Sequence, residues 1–230
     1  MNQTLIQRYE NSCLMLMDQR ADGFHFLGTA FILHPQGYLL TSDYILSGAE
    51  KPMAVSAAQP GDFTPLTAED GLVFETEIAR RDPQRGLALL KIEVPSDIGA
   101  PDDFIGNPEQ VGEGTPLLTF GVSFGHFRIH NVMVIQSMVS AKVLSHNGTK
   151  LFIFDSAVHP GDIGGPIVNG ETGRILGIIA GLFNPLEIQQ LEQPEDYTVD
   201  SRFSYAVSIE YGKDLLENAG IEHTQPGASF

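Results

Sequence analysis

The residue types able to do chemistry gather in three short places. Ser156, His159 and Asp162 surround a glycine-rich turn, His159-Pro160-Gly161-Asp162-Ile163-Gly164-Gly165-Pro166; Ser42 and Asp43 close one apolar run, and Asp82 stands ahead of another. Serine, histidine and carboxylate cooperate in nucleophilic catalysis: a hydroxyl attacks once a positioned imidazole takes its proton, and a carboxylate holds the imidazole's tautomer. The histidines also raise metal chemistry, above all His126 and His130. On an extended segment residues four apart lie about 13 Å from each other, too far to share a zinc at about 2.0–2.1 Å, whereas a turn would bring them together. No cysteine lies near them, so both are read as surface histidines, with neither metal nor cofactor expected.

The elements that must position these groups are short strands. Runs rich in Val, Ile, Leu and Phe recur, each bounded by Gly, Pro, Asn or Asp, which is the pattern of strands joined by turns. Strands are expected over 12–17, 28–34, 38–42, 73–80, 87–92, 115–121, 130–140, 151–155, 165–169, 174–183 and 203–207. Helical periodicity is confined to 4–10 and 211–219, where Leu215, Leu216 and Ala219 share a face and Gly220 stands at the stop. The fold class is therefore all-β. An acidic, proline-containing stretch at 99–112 joins two β halves, and a second at 184–200 reads as a loop before the last strand.

Composition narrows the function classes. The 230 residues are 42% hydrophobic and 18% charged, enough to bury a core and far from a disordered composition. With 13 Lys and Arg against 29 Asp and Glu, the net charge of −16 opposes binding to nucleic acid or to anionic lipid. Apolar stretches such as 175–183 are glycine-interrupted and too short for a membrane helix, so no membrane association is expected. Cys13, the single cysteine, closes no intramolecular disulfide, and residues 1–19 lack the pattern of a secretory signal. On those grounds a cytoplasmic protein is expected. The acceptor patterns Asn2-Gln3-Thr4 and Asn147-Gly148-Thr149 are then read as chance.

Three segments in order resemble the trypsin-like serine proteases, in particular the HtrA/Deg branch, and with their flanks they span residues 14–216. Residues 28–49, from Gly28-Thr29-Ala30-Phe31 to Thr41-Ser42-Asp43-Tyr44-Ile45, are similar to the hairpin that leads into the family's catalytic histidine, which falls at Tyr44. Asp82-Pro83-Gln84-Arg85-Gly86-Leu87-Ala88-Leu89-Leu90 resembles the segment of the catalytic aspartate, which falls at Gly86. The glycine-rich turn resembles the nucleophile loop, with Ile163 where the serine belongs and Gly161, Asp162 and Ile163 as the oxyanion loop. Secondary matches at 104–125, ending in Phe124-Gly125, at 137–143 and at 203–207 hold the register from both sides. The resemblance implies a single domain over 1–230: two six-stranded antiparallel β-barrels (11–98 and 113–210) joined by a linker at 99–112, with a short N-terminal helix and a C-terminal helix and tail at 211–230.

The resemblance also implies that proteolysis is lost. Ile163 has no nucleophilic atom, Gly86 has no side chain, and a phenol with an ordinary pKa of about 10 cannot act as general base at neutral pH as an imidazole does. Ser42, Asp43, Asp82, Ser156 and His159 lie within several residues of a lost position, but a shift of one residue in a strand turns a side chain to the opposite face. A pseudoprotease that binds a protein or peptide is expected. In the family an edge strand beside the cleft pairs with an extended peptide; that edge falls at Gly181, Leu182 and Phe183, and the pocket floor at Ala157, Val158, His159 and Pro160. Strand addition needs no triad. The segment 186–200 carries Glu187, Glu192, Glu195, Asp196 and Asp200 without Lys or Arg, which would steer a basic partner. Two alternatives stand beside this reading: an enzyme with rebuilt chemistry, and a structural subunit whose cleft is filled by Phe183, Tyr44 and Ile163.

Overall fold

The computed structural model describes residues 3–57, 63, 71–93, 104–192 and 202–221. The first barrel closes through β1 (Cys13–Arg20), β2 (Gly23–His34), β3 (Tyr38–Ser42), β4 (Pro52–Ser56), β5 (Val73–Asp82) and β6 (Leu87–Ile92), in the order β1-β2-β3-β6-β5-β4. The second closes through β7 (Pro116–Gly121), β8 (Met133–Leu144), β9 (Lys150–Phe154), β10 (Pro166–Asn169), β11 (Ile175–Leu182) and β12 (Ser204–Ser208), in the order β10-β11-β12-β9-β8-β7. Every strand pair in both barrels is antiparallel. This is the all-β architecture of two six-stranded barrels that the sequence and its resemblance led us to expect, with closure removing exposed sheet edges.

Leaving the 3₁₀ turns aside, two elements are absent from the sequence reading, while β1, β2 and β8 run past their expected bounds. Strand β4 was not anticipated: it has a proline at its first position and three consecutive buried residues, Met53, Ala54 and Val55, so it lacks the two-residue alternation that marks a half-buried strand. A proline lacks an amide to donate and is tolerated at a strand's first residue. The stretch read as a loop from 184 contains a one-turn helix, α2 (Pro185–Gln189), capped by the Asn184 side chain, which accepts from the Leu186 N–H. Residues 193–200 of that acidic stretch, and 99–103 of the inter-barrel linker, lie outside the described residues.

The terminal helices sew the barrels together crosswise. In α1 (Gln3–Ser12) Tyr9 is buried, donates its hydroxyl to the Gly173 carbonyl of the second barrel at 2.6 Å, and packs on Phe120. In α3 (Glu210–Asn218) the buried face of Tyr211, Leu215 and Leu216 joins one apolar cluster with Phe31, Leu40 and Leu89 of the first barrel and Phe120, Val168 and Ile178 of the second. Each large apolar side chain fully buried there contributes about 1.5–3 kcal/mol. The seam between the barrels, which frames the site, is thus held by a shared core.

Candidate functional site

Between the barrels lies a cleft of about 610 Å³. Tyr44, Gly86 and Ile163 all line it, as do Val158, His159, Pro160, Gly181 and Leu182. Ala157 and Phe183 do not line it, and the Phe183 amide instead donates to the Phe203 carbonyl at 2.9 Å. Tyr44 opens a short 3₁₀ turn after β3 and is 76% exposed, so it leaves the cleft open. Gly86 sits at φ +70° in the turn between β5 and β6, where its carbonyl accepts from the Asp43 N–H at 2.9 Å. Ile163 packs against the apolar cluster of the first barrel, the one that contains Ile45 and Leu46.

The loop before β10 is built around His159. Residues Pro160–Asp162 form one 3₁₀ turn in which the Gly161 N–H donates to His159 Nδ1 at 3.3 Å and the Ile163 N–H donates to the Pro160 carbonyl at 3.3 Å. The Asp162 carboxylate is buried and accepts from the His159 N–H at 2.8 Å and from the Ser123 hydroxyl at 2.5 Å. Burial raises its pKa above the ordinary aspartate range, against the lowering effect of those two bonds and of His159. Gly164 follows at φ +90°, and a Cβ there would stand 2.1 Å from the Thr29 carbonyl oxygen and 2.3 Å from Thr41 Oγ1, so only glycine lets the loop lie this close to the first barrel.

Of the expected edge, Gly181 and Leu182 end β11, and Phe183 follows it outside the strand. The ladder of β11 with β10 ends at Ile178 paired with Pro166, followed by the mutual bonds of Ile179 with Gly164 and Gly165, while on the other side Gly181 and Leu182 continue to pair with Tyr205 and Ser204 of β12. Because bonding direction alternates along an antiparallel strand and Phe183 donates toward β12, the N–H and C=O of Leu182 face the cleft.

Several lining residues were not read as site residues from sequence, Arg85, His146, Asn147, Ile188 and Tyr205, while Glu187, expected only to steer a partner, lines the cleft with them. They come from four separate places in the chain, and none of the motifs they fall in points to the cleft. Arg85 is ion-paired with Asp82 at 2.8 Å and lies over the Tyr211 ring. Tyr205 has its phenol pKa raised by burial, with a further rise from Glu187. Of the histidines considered for metal, His126 is exposed and packs edge-on against Phe26, and His130 is half-buried. Partial desolvation of its ring, then the nearby His159, lowers the His126 pKa. Among the described residues no group of three or more His, Cys, Asp or Glu is placed to hold a metal.

The family model for a trypsin-like peptidase domain matches residues 28–178, well over half of the chain. The chain belongs to the trypsin-like peptidase domain family. Similar curated proteins include a probable periplasmic serine endoprotease DegP-like from Ectopseudomonas mendocina (strain ymp), 26% identical over 215 residues, covering 85% of this chain and 41% of the relative. Another of the same description, from Pseudomonas fulva (strain 12-X), is 29% identical over 214 residues, covering 85% of this chain and 40% of the relative. This trypsin-like domain thus spans about two fifths of the length of those relatives. Its fold is similar to that of the HtrA-type protease AlgW with decapeptide, at TM-score 0.68 and 19% identity over 94% of this chain and 66% of that one. The AlgW structure with tripeptide gives TM-score 0.68 and 21% identity over 96% of this chain and 64% of that one. The domain therefore has the HtrA-branch trypsin-like fold.

These relatives correct the expected compartment: they are named periplasmic, which points away from the cytoplasm. The lone cysteine misled because it reports nothing on redox state. Cys13 is fully buried and desolvation drives its pKa far up, so the reactive thiolate is suppressed in a reducing or an oxidising compartment alike.

Proposed function

We propose that this trypsin-like domain is catalytically silent and works by capturing an extended peptide segment of a protein partner in the cleft between its barrels. The observation that carries this reading is the joint placement of Tyr44, Gly86 and Ile163 around one open cleft. The wall that should hold base, carboxylate and nucleophile holds an exposed phenol, a bare backbone and an aliphatic chain. In acyl transfer by this fold the oxyanion is held by the amide of the nucleophile and the amide two residues earlier, positions 163 and 161 here, and both amides are bonded within the 3₁₀ turn. The open volume, with Tyr44 turned outward and Phe183 off the wall, argues against a subunit whose cleft is packed shut. The similar AlgW structures were solved with peptides, and the backbone of Leu182 offers this chain groups to which an extended segment could add as a strand. We take the periplasm of the relatives as its compartment.

The test uses a fluorophosphonate probe and an unfolded casein substrate on purified protein. Neither labelling nor cleavage above a blank is expected. Stoichiometric labelling, or cleavage abolished by a point substitution in this chain, overturns the proposal.

A further inference from the structure

We propose that the cleft receives a free chain N-terminus, whose α-ammonium meets Glu187, and does not admit a strand that passes through; this rests on the peptide-capture reading above. The first observation is a bridge between the barrels at the cleft. Asn147, at the tip of the β8–β9 hairpin, donates from Nδ2 to the Gln84 carbonyl of the first barrel at 2.8 Å, and both residues line the cavity. The amide orientation of Asn147 is fixed by its oxygen, which accepts from the Ser145 hydroxyl, the Thr149 N–H and the Thr149 hydroxyl at 2.5, 3.1 and 2.7 Å. With the oxygen held in the hairpin, the nitrogen must face Gln84. The neighbouring His146 ring bonds through Nδ1 to the Ile188 carbonyl at 3.0 Å, so the hairpin tip is tied to both sides. An extended chain cannot continue past a hydrogen bond that joins the two walls.

The cleft volume agrees. At about 610 Å³ it lies within the 300–1,000 Å³ or so of small-ligand pockets, room for a few residues. Because the hairpin tip is held at Ile188, beyond the end of β11, a segment laid along Leu182 from the Ile163 side would run toward the bridge and end there.

The charge of the lining chooses which terminus. Arg85 is neutralised by Asp82, and His159 accepts from Gly161. Glu187 is exposed, lines the cleft, and forms no ion pair among the described residues. Its negative charge is felt at the Tyr205 phenol. In a chain of net charge −16 a terminal carboxylate would be repelled at that point, while an α-ammonium gains an ion pair and hydrogen-bond acceptors.

The test measures binding of a randomised pentapeptide mixture carrying a C-terminal fluorophore, prepared with free and with acetylated N-termini and with Lys and Arg either included or excluded. Fluorescence anisotropy is read with the parent protein, Glu187→Gln and Asn147→Ala. The free form is expected to bind about fivefold or more tighter than the acetylated form. Glu187→Gln should erase that difference, and Asn147→Ala should admit acetylated peptides. Equal binding of free and acetylated peptides overturns the chain-end proposal and leaves peptide capture standing. A preference that follows Lys and Arg content and survives acetylation assigns the ammonium to a side chain and also overturns it. Binding of neither form overturns both readings.

Discussion

The Thr29 hydroxyl donates to the Gly161 carbonyl oxygen at 2.7 Å, tying β2 of the first barrel to the loop that walls the cleft in the second. The Thr29 hydroxyl oxygen also accepts from the Val122 N–H at 2.9 Å, and the Thr29 N–H donates to the Ile163 carbonyl at 3.0 Å. One fully buried residue therefore fixes both the loop and the strand end beneath it. Replacing Thr29 by the isosteric valine strands a buried amide and a buried carbonyl, each at about 1–3 kcal/mol. A loss of about 2–4 kcal/mol is expected in urea unfolding, while Thr29→Ser should retain most of the stability. Parent-like stability of the valine variant would show that water replaces the hydroxyl.

Gly164→Ala tests the same seam sterically. The new methyl would meet the backbone oxygen of Thr29 and the Thr41 hydroxyl at φ +90°, and backbone cannot step aside as a flexible side chain does. The variant should fail to accumulate as folded protein. A soluble, cooperatively unfolding Gly164→Ala protein would mean that the barrels can separate.

Asp162 gives a pH dependence. Its folded pKa is raised, so through the window above the ordinary aspartate value of about 3.9 the folded state binds more protons than the unfolded one. Stability contributed by this residue is then greatest at low pH and falls as pH rises. Asp162→Asn keeps one acceptor for the His159 N–H and can donate to Ser123, without a charge to bury. Measured by urea unfolding, the variant should gain on the parent as pH rises from 4 toward neutrality, as roughly the ordinary carboxylate range is left behind. A gap that widens in the opposite direction would mean that the two bonds outweigh burial.

The triple variant Tyr44→His, Gly86→Asp and Ile163→Ser restores the residue types and not the donors. Aspartate at the positive φ of Gly86 costs roughly 1–2 kcal/mol, with open space around it, so the fold should survive. While the Gly161 amide stays on His159 Nδ1, loss of one oxyanion donor alone removes about 10²–10³ in rate. Turnover of casein should remain near the blank. Robust turnover would mean that the 3₁₀ turn opens readily.

The barrel strands were legible wherever burial alternates or an apolar run ends at Gly, Pro or Asp, as in 38–42 and 87–92, which match β3 and β6. Strand β1 runs three residues past the expected Met17 because Asp18 is buried yet satisfied, accepting from the Glu50 and Lys51 amides and from Arg20. Polarity hid it. That Tyr44, Gly86 and Ile163 line one cleft was readable because each sits in a contiguous segment. The wall formed by Asn147 and Gln84 was not, since the two are 63 residues apart and one of the partners contributes only a backbone oxygen, which any residue would supply.

Prolines at adjacent positions separate binding from stability on the recognition edge. The Phe183 amide donates to Phe203 within the barrel, so Phe183→Pro breaks a ladder bond and should lower stability on the order of 1–3 kcal/mol. The Leu182 amide faces the cleft, its side chain is 51% exposed, and it follows Gly181, which tolerates the restriction a proline imposes on the residue before it. Leu182→Pro should therefore unfold near the parent in urea and yet lose the donor that pairs with a bound strand. With the fluorescent pentapeptide mixture bearing free N-termini, a loss of about tenfold in affinity is expected, carried mainly by faster dissociation. Glu187→Lys should slow association with a salt-dependent effect and, by removing the partner of the α-ammonium, speed dissociation as well. If Leu182→Pro is folded and holds the mixture as tightly as the parent, the peptide does not pair with β11, and the partner must engage a surface outside this edge.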